Sequence, residues 1–172
     1  MTMTMPIYMD SHATTRVDPR VVQAMLPFFG EHYGNAASRQ HRFGWIARDA
    51  VTEARVAVAA LIGAPARAVV FTSGASESNN LALKGIADQS RARGNHLVTV
   101  QTEHRAVLDP LTRLEQQGFQ VSYVPVRSDG IVEPSSLKAA LTPATVLVSV
   151  MMANNEIGVL QPIAELTRST RA

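Results

Sequence analysis

A three-layer α/β/α fold with a mostly parallel sheet is predicted by two features of this 172-residue chain. Short apolar runs alternate with longer segments whose apolar residues recur at helical spacing. The order that results, β-α-β-α, places helices against the faces of one parallel sheet. One of the runs, Val69-Val70-Phe71, is apolar throughout, which suits a strand buried on both faces.

Residues 1–16 read as an extended N-terminal arm, and 17–172 as part of one larger domain. Asp18-Pro19 is a helix start, Asp as N-cap and Pro at the first helical position, for a helix to about Phe28. The stretch from Gly30 to Gly44 is a loop rich in Gly, Asn and Ser. A longer helix then runs from about Phe43 to Ile62, with Phe43, Ile46, Ala50, Val51, Ala54, Val58 and Leu61 at helical spacing and Gly63 as its stop. After the run at 69–71 comes a helix from Ser76 to Arg93, closed by Gly94. There follow a strand at His96 to Gln101, a helix to Gln117 and a strand at Phe119 to Val126. Asp129-Gly130 is a turn. Ser135 to Leu141 is a short helix, Val146 to Met151 a strand, and Pro162 to Ala172 the start of another helix.

Apolar residues make up 46% of the chain and charged residues 17%, the balance of a globular protein rather than a disordered one. The net charge is +2 and the basic residues are dispersed, which argues against a nucleic-acid partner. There is no Cys, so the chain itself carries no disulfide, thiolate nucleophile or thiolate metal site. His12, His32, His41 and His96 show no metal-ligand spacing and have no Cys partners, and no metal is assigned. No stretch is long and apolar enough for a membrane span, and Met1 to Pro6 lacks the basic and apolar regions of a signal peptide. The expected setting is the cytoplasm.

Three places carry ligand-type residues where strands are expected to end. Ser73-Gly74-Ala75-Ser76 lies between an apolar run and a helix start. Small residues let a ligand approach the backbone there, and the free N–H groups of a first helical turn favour an anion. Ser76 and Ser78 are candidate hydroxyl donors. The plainer reading is an ordinary strand-to-helix turn capped by Ser. Neither G-x-x-x-x-G-K-[ST] nor G-x-G-x-x-G is present, nor is a G-x-S-x-G elbow. His104 follows the second strand, at the end of an α/β sheet where ligands bind, and a ring-stacking or acid–base group is useful there. Asn154 and Asn155 follow the strand ending at Met151, and one amide there is a candidate donor to a ligand oxygen. For each, a surface His and an Asn turn are the structural alternatives. Arg39, His41 and Arg42 form a small basic cluster, read first as a solvated surface and second as a partner contact.

These stretches occur in an ordered set. They comprise Ile7-Tyr8-Met9-Asp10 with Ala13-Thr14-Thr15, Val17-Asp18-Pro19-Arg20, Gly34-Asn35-Ala36-Ala37-Ser38-Arg39 with His41-Arg42-Phe43-Gly44, Phe71 to Ser78, Thr102-Glu103-His104, and Asn154-Asn155-Glu156-Ile157-Gly158. The set resembles the N-terminal part of cysteine desulfurases, in the class V aminotransferase group of fold-type I pyridoxal-phosphate enzymes. The resemblance implies part of the large domain of such an enzyme, with pyridoxal 5'-phosphate as cofactor. Ala75 and Ser76 would hold its phosphate, His104 would stack on the ring and move protons, and Asn155 would hydrogen-bond the phenolic oxygen. It also implies L-cysteine as substrate, alanine and an enzyme persulfide as products, a homodimer, and a sulfur acceptor such as an iron–sulfur scaffold protein.

The chain departs from the family at Ser11-His12, at Met152-Ala153 before the Asn pair, and at Ser76, where Thr is commoner. The family's Asp for the pyridine nitrogen, its Ser-Gly-His-Lys segment with the Schiff-base Lys, and its Cys loop have no counterpart here. Lys84 and Lys138, the two lysines, match no such context. The expectation is an N-terminal portion, not competent alone, completed by a C-terminal half. A non-catalytic remnant or interaction module, or another class V enzyme such as a selenocysteine lyase, is the alternative. A half-sheet is further expected to leave an open edge and uncovered apolar faces.

Overall fold

The structure, a computed structural model, describes residues 6–170. The chain divides into two compact units, Met1–Phe71 and Thr72–Ala172.

The first unit holds helices α1 (Pro19–Gly30) and α2 (Arg42–Leu61). The Asp18 carboxylate accepts from the Arg20 N–H at 2.8 Å, the expected N-cap. His41 caps α2, its Nδ1 accepting from the Gly44 N–H at 3.3 Å. The intervening loop folds tightly onto the start of α2. A Cβ on Gly34 would lie 2.2 Å from the Phe43 carbonyl oxygen, and one on Gly44 2.0 Å from that of Ser38, so both positions exclude a side chain. Nothing on α1 is buried, and Val21, Val22, Met25, Leu26, Phe28 and Phe29 are exposed. Residues 6–18 carry neither helix nor strand, and residues 1–5 of the expected arm lie outside the described residues.

The strand expected at Val69–Phe71 does not form. A short 3-10 turn at Ala66–Ala68 is followed by backbone without a ladder partner among the described residues. Val70 and Phe71 are 65% and 48% exposed. A strand exists only through its neighbour's hydrogen bonds, and apolar composition alone does not supply one.

The second unit is the three-layer sandwich. Strands β1 (His96–Val100), β2 (Gln120–Val124) and β3 (Thr145–Val148) form a parallel sheet in the order β2-β1-β3. Central β1 is buried along its whole length, as a strand covered on both faces must be. Helices α3 (Ala75–Ser90) and α4 (Arg105–Gln116) cover one face through Leu83, Ala87, Val107, Leu111 and Leu114, packed on Leu97. Helices α5 (Pro134–Ala140) and α6 (Ile163–Ser169) cover the other through Leu137 and Leu166, packed on Val98, Val100 and Val124. Leu97, Leu111 and Leu114 are at most 1% exposed, and burying each contributes about 1.5–3 kcal/mol. The register slips between His96 and Leu97, so Val146 and Leu147 both pack against the α3/α4 core. Residues 171 and 172 of the last expected helix lie outside the described residues.

His96 ties the three strands together. Its ring is 4% exposed. Nδ1 lies 2.7 Å from Thr145 Oγ1 on β3, and Nε2 2.9 Å from Ser122 Oγ on β2.

Candidate functional site

Parallel strands put all their carboxyl ends on one edge. Each βα connection brings its helix N-terminus to that edge, and each αβ connection leaves from the other. Helix α3, about 24 Å long at 1.5 Å per residue, returns through residues 91–95 to the start of β1. Its N-terminus therefore points to the carboxyl edge, as does that of α4.

Gly74 is the N-cap of α3, with no side-chain cap bond. The backbone N–H groups of Ala75 and Ser76 have no acceptor among the described residues. The turn before them is braced by side chains. Glu77 reaches back to accept from the Ser73 N–H at 2.7 Å and the Ser73 hydroxyl at 2.6 Å, and these bonds hold its carboxyl below the usual range. Thr72 Oγ1 and Ser78 Oγ lie 2.6 Å apart. Ser78, a candidate donor in the sequence, is thus engaged within the turn, whereas Ser76 Oγ has no partner among the described residues. At Gly74 a Cβ would meet nothing within 4 Å, and its φ of 164° is ordinary extended backbone. Neither packing nor conformation within the chain demands glycine there.

His104 is the N-cap of α4. Its Nδ1 accepts from the Ala106 N–H at 3.0 Å, so the neutral ring carries its proton on Nε2, which is left without a partner among the described residues. The ring is exposed.

Beyond β3, residues 151–161 fold back on themselves, with an Ala153–Leu160 bridge. The two Asn residues have different work. Asn154 Nδ2 donates to the Thr102 carbonyl at 3.0 Å, and its Oδ1 accepts from the N–H groups of Glu156 and Ile157 at 2.9 and 3.0 Å. Its amide is spent on the backbone. Asn155 is exposed, with no side-chain hydrogen bond among the described residues.

His104 and Asn155 line one cleft of about 250 Å³, together with Gln101, Thr102, Glu103, Asn154, Glu156 and Ile157. Ala75 and Ser76 are not among the lining residues; they stand at the same sheet edge by topology. Lys84 and Lys138 line none of it either. Lys84 is exposed midway along α3, and Lys138 in the last turn of α5 lies toward the opposite edge.

Glu103 had no role in the sequence reading. It is 8% exposed, and its carboxylate accepts from the backbone N–H of Met151. Burial pushes its pKa up, and the Met151 N–H opposes that. The available signal was an acidic residue three positions beyond a buried strand, where a carboxylate needs donors.

A profile of the family described as aminotransferase class-V matches residues 7–172. Cysteine desulfurase IscS of Anaeromyxobacter sp. strain K is 59% identical over 169 residues, 98% of this chain and 42% of that protein. The protein of the same name from Dechloromonas aromatica strain RCB is 55% identical over 167 residues, 96% of this chain and 41% of that one. Among solved structures, a NifS-like protein superposes with a TM-score of 0.93 at 41% identity, over 97% of this chain and 46% of that chain. A structure described as SspA in complex with cysteine gives 0.90 at 35% identity, over 95% and 47%. The chain spans less than half the length of these relatives.

Proposed function

Because the chain belongs to the class-V aminotransferase family, we propose that it forms the N-terminal part of a pyridoxal 5'-phosphate-dependent cysteine desulfurase. The overall reaction takes L-cysteine and an enzyme thiol to L-alanine and an enzyme persulfide. The observation that carries this reading is the cleft at the carboxyl edge of the sheet. There His104 and Asn155, each with an unspent polar group, face one space.

The chain's own residues suit the cofactor. A phosphate would sit against the N–H groups of Ala75 and Ser76 and the Ser76 hydroxyl, favoured by the positive end of the α3 dipole. A ligand approaching the backbone would supply the reason for glycine at position 74 that packing does not. The imidazole of His104 is held at Nδ1, which orients the ring to stack on the cofactor and leaves Nε2 to hold or deliver a proton. The Asn155 amide would donate to the ring's phenolic oxygen. When bound, the cofactor acts as the electron sink for the substrate amino acid.

The amine that would anchor the cofactor and the thiol that would accept sulfur are assigned to polypeptide outside these 172 residues. The chain contains no Cys, and both lysines stand away from the cleft. Pairing with a C-terminal half, homodimer formation, a cytoplasmic setting and delivery of sulfur to an acceptor such as an iron–sulfur scaffold belong to the same proposal. No helix among the described residues is long and apolar enough to cross a membrane.

A chimera tests the reading. These 172 residues replace the matching part of the Anaeromyxobacter desulfurase, and alanine release from L-cysteine is measured. Turnover within about tenfold of the parent is expected; a folded, cofactor-loaded chimera that releases no alanine would refute the proposal.

A further inference from the structure

The backbone ladder between β1 and β3 ends before the site begins. Its last paired residues are Val98 and Val148, after which Ser149 N–H donates to the Val98 carbonyl at 2.9 Å. From there outward, side chains continue the pairing. Thr99 Oγ1, fully buried, donates to the Ser149 carbonyl at 3.0 Å. Glu103 accepts from the Met151 N–H, and Asn154 Nδ2 donates to the Thr102 carbonyl at 3.0 Å. The last two bonds run in opposite directions, one side chain from each loop reaching the other loop's backbone. Glu103 directly precedes His104 in the chain. One buried carboxylate thus ties the loop that presents the imidazole to the segment that leads to Asn155.

A buried carboxylate is costly unless donors meet it, and an aliphatic side chain would fill this space without that cost. What aliphatic packing does not supply is directional attachment of two loops that share no backbone hydrogen bond at this level. We propose that Glu103, with Asn154 as its counterpart, is a positioning residue that sets the spacing of His104 and Asn155 across the cleft. The inference rests on the reading of those two residues as cofactor ligands.

The test uses the full chain carrying Glu103→Ala, Glu103→Gln or Asn154→Ala. Pyridoxal 5'-phosphate and inorganic phosphate are the two probes, and amide hydrogen exchange is followed without either. Inorganic phosphate reports on the α3 N-terminus alone, whereas pyridoxal 5'-phosphate also needs the His104–Asn155 spacing. Glu103→Ala is expected to weaken pyridoxal 5'-phosphate about tenfold, leave inorganic phosphate unchanged, and speed Met151 amide exchange at least tenfold without moving that of Val98. Glu103→Gln keeps an acceptor oxygen and should lose no more than about threefold; it and Asn154→Ala decide the matter should Glu103→Ala not fold. A merely structural role would weaken both probes in parallel and raise exchange at Val98 too, and that result overturns the proposal. If the unmodified chain binds no pyridoxal 5'-phosphate, the cofactor reading fails on its own account. Positioning is then judged by exchange: unchanged protection of Met151 in Glu103→Ala overturns it, and selective loss upholds it.

Discussion

Replacing His96 with leucine should lower stability at pH 8 and remove part of the acid sensitivity of the second unit. The ring is 4% exposed and spends both nitrogens on hydroxyls of the flanking strands, at 2.7 and 2.9 Å. Leucine matches the bulk but makes neither bond. Thr145 Oγ1 keeps a partner, the Thr142 N–H at 2.8 Å, while Ser122 Oγ loses the only one it has among the described residues. Two neutral hydrogen bonds at about 1 kcal/mol each, partly offset by added apolar burial, give a loss of about 1–2 kcal/mol. Burial lowers the ring's pKa below its ordinary 6.5. The unfolded chain therefore takes up a proton near pH 6.5 that the folded chain refuses. This contribution to stability is complete above pH 6.5 and is lost below it, by up to about 1.4 kcal/mol per pH unit until the folded pKa is reached. Urea unfolding, followed through the amide signals of β1 at pH 8, 7, 6 and 5, measures both proteins. Their difference should shrink as the pH falls, because the other titrating groups cancel in it. A difference that stays constant from pH 8 to pH 5 would refute the argument.

Other expectations concern single positions. In the chimera, His104→Asn keeps an acceptor for the Ala106 N–H, so stability should hold within about 0.5 kcal/mol while kcat/KM falls at least about 100-fold; His104→Ala should lose both, with about 1 kcal/mol from the missing cap. Circular dichroism melts and alanine assays separate these effects. Gly94→Ala would place a Cβ 2.2 Å from the Ala144 carbonyl oxygen, backbone against side chain where β1 and β3 begin, and should cost about 1–3 kcal/mol in urea unfolding. Leu111→Ala empties a site 1% exposed between α4 and the sheet and should cost about 2–5 kcal/mol by the same measurement.

The helices were legible because their signals are local. Asp18-Pro19 starts α1 and helical spacing marks α2, each a matter of a few adjacent residues. The three strands of the sheet were legible from apolar runs of the right length, and Leu97, Val98 and Val100 occupy the core such runs imply. Val69-Val70-Phe71 has the same composition and is no strand, because pairing depends on a neighbour that composition does not specify. The 3-10 turn at Ala66–Ala68 left no recognised mark.

At the site, residue types and strand-end positions pointed to the Ser73–Ser76 turn, His104 and the Asn154–Asn155 pair, and the family resemblance narrowed these to Ala75, Ser76, His104 and Asn155. Two adjacent Asn residues looked alike in the sequence. The fold separates them, since Asn154 meets the Thr102 carbonyl and Asn155 does not. Ser78 looked like a donor until Thr72 was brought to 2.6 Å from it. Glu103 was visible as a letter but not as a tether, because its donor on Met151 lies 48 residues away along the chain. By itself, then, the sequence determined the helices, the three paired strands, their order and the kinds of groups at the strand ends, since propensity, capping and apolar period act over a few residues. Tertiary structure alone decided which of those groups remain free for a ligand, because a hydrogen bond is assigned by distance in space, and β1 and β3 are separated along the chain by α4, β2 and α5.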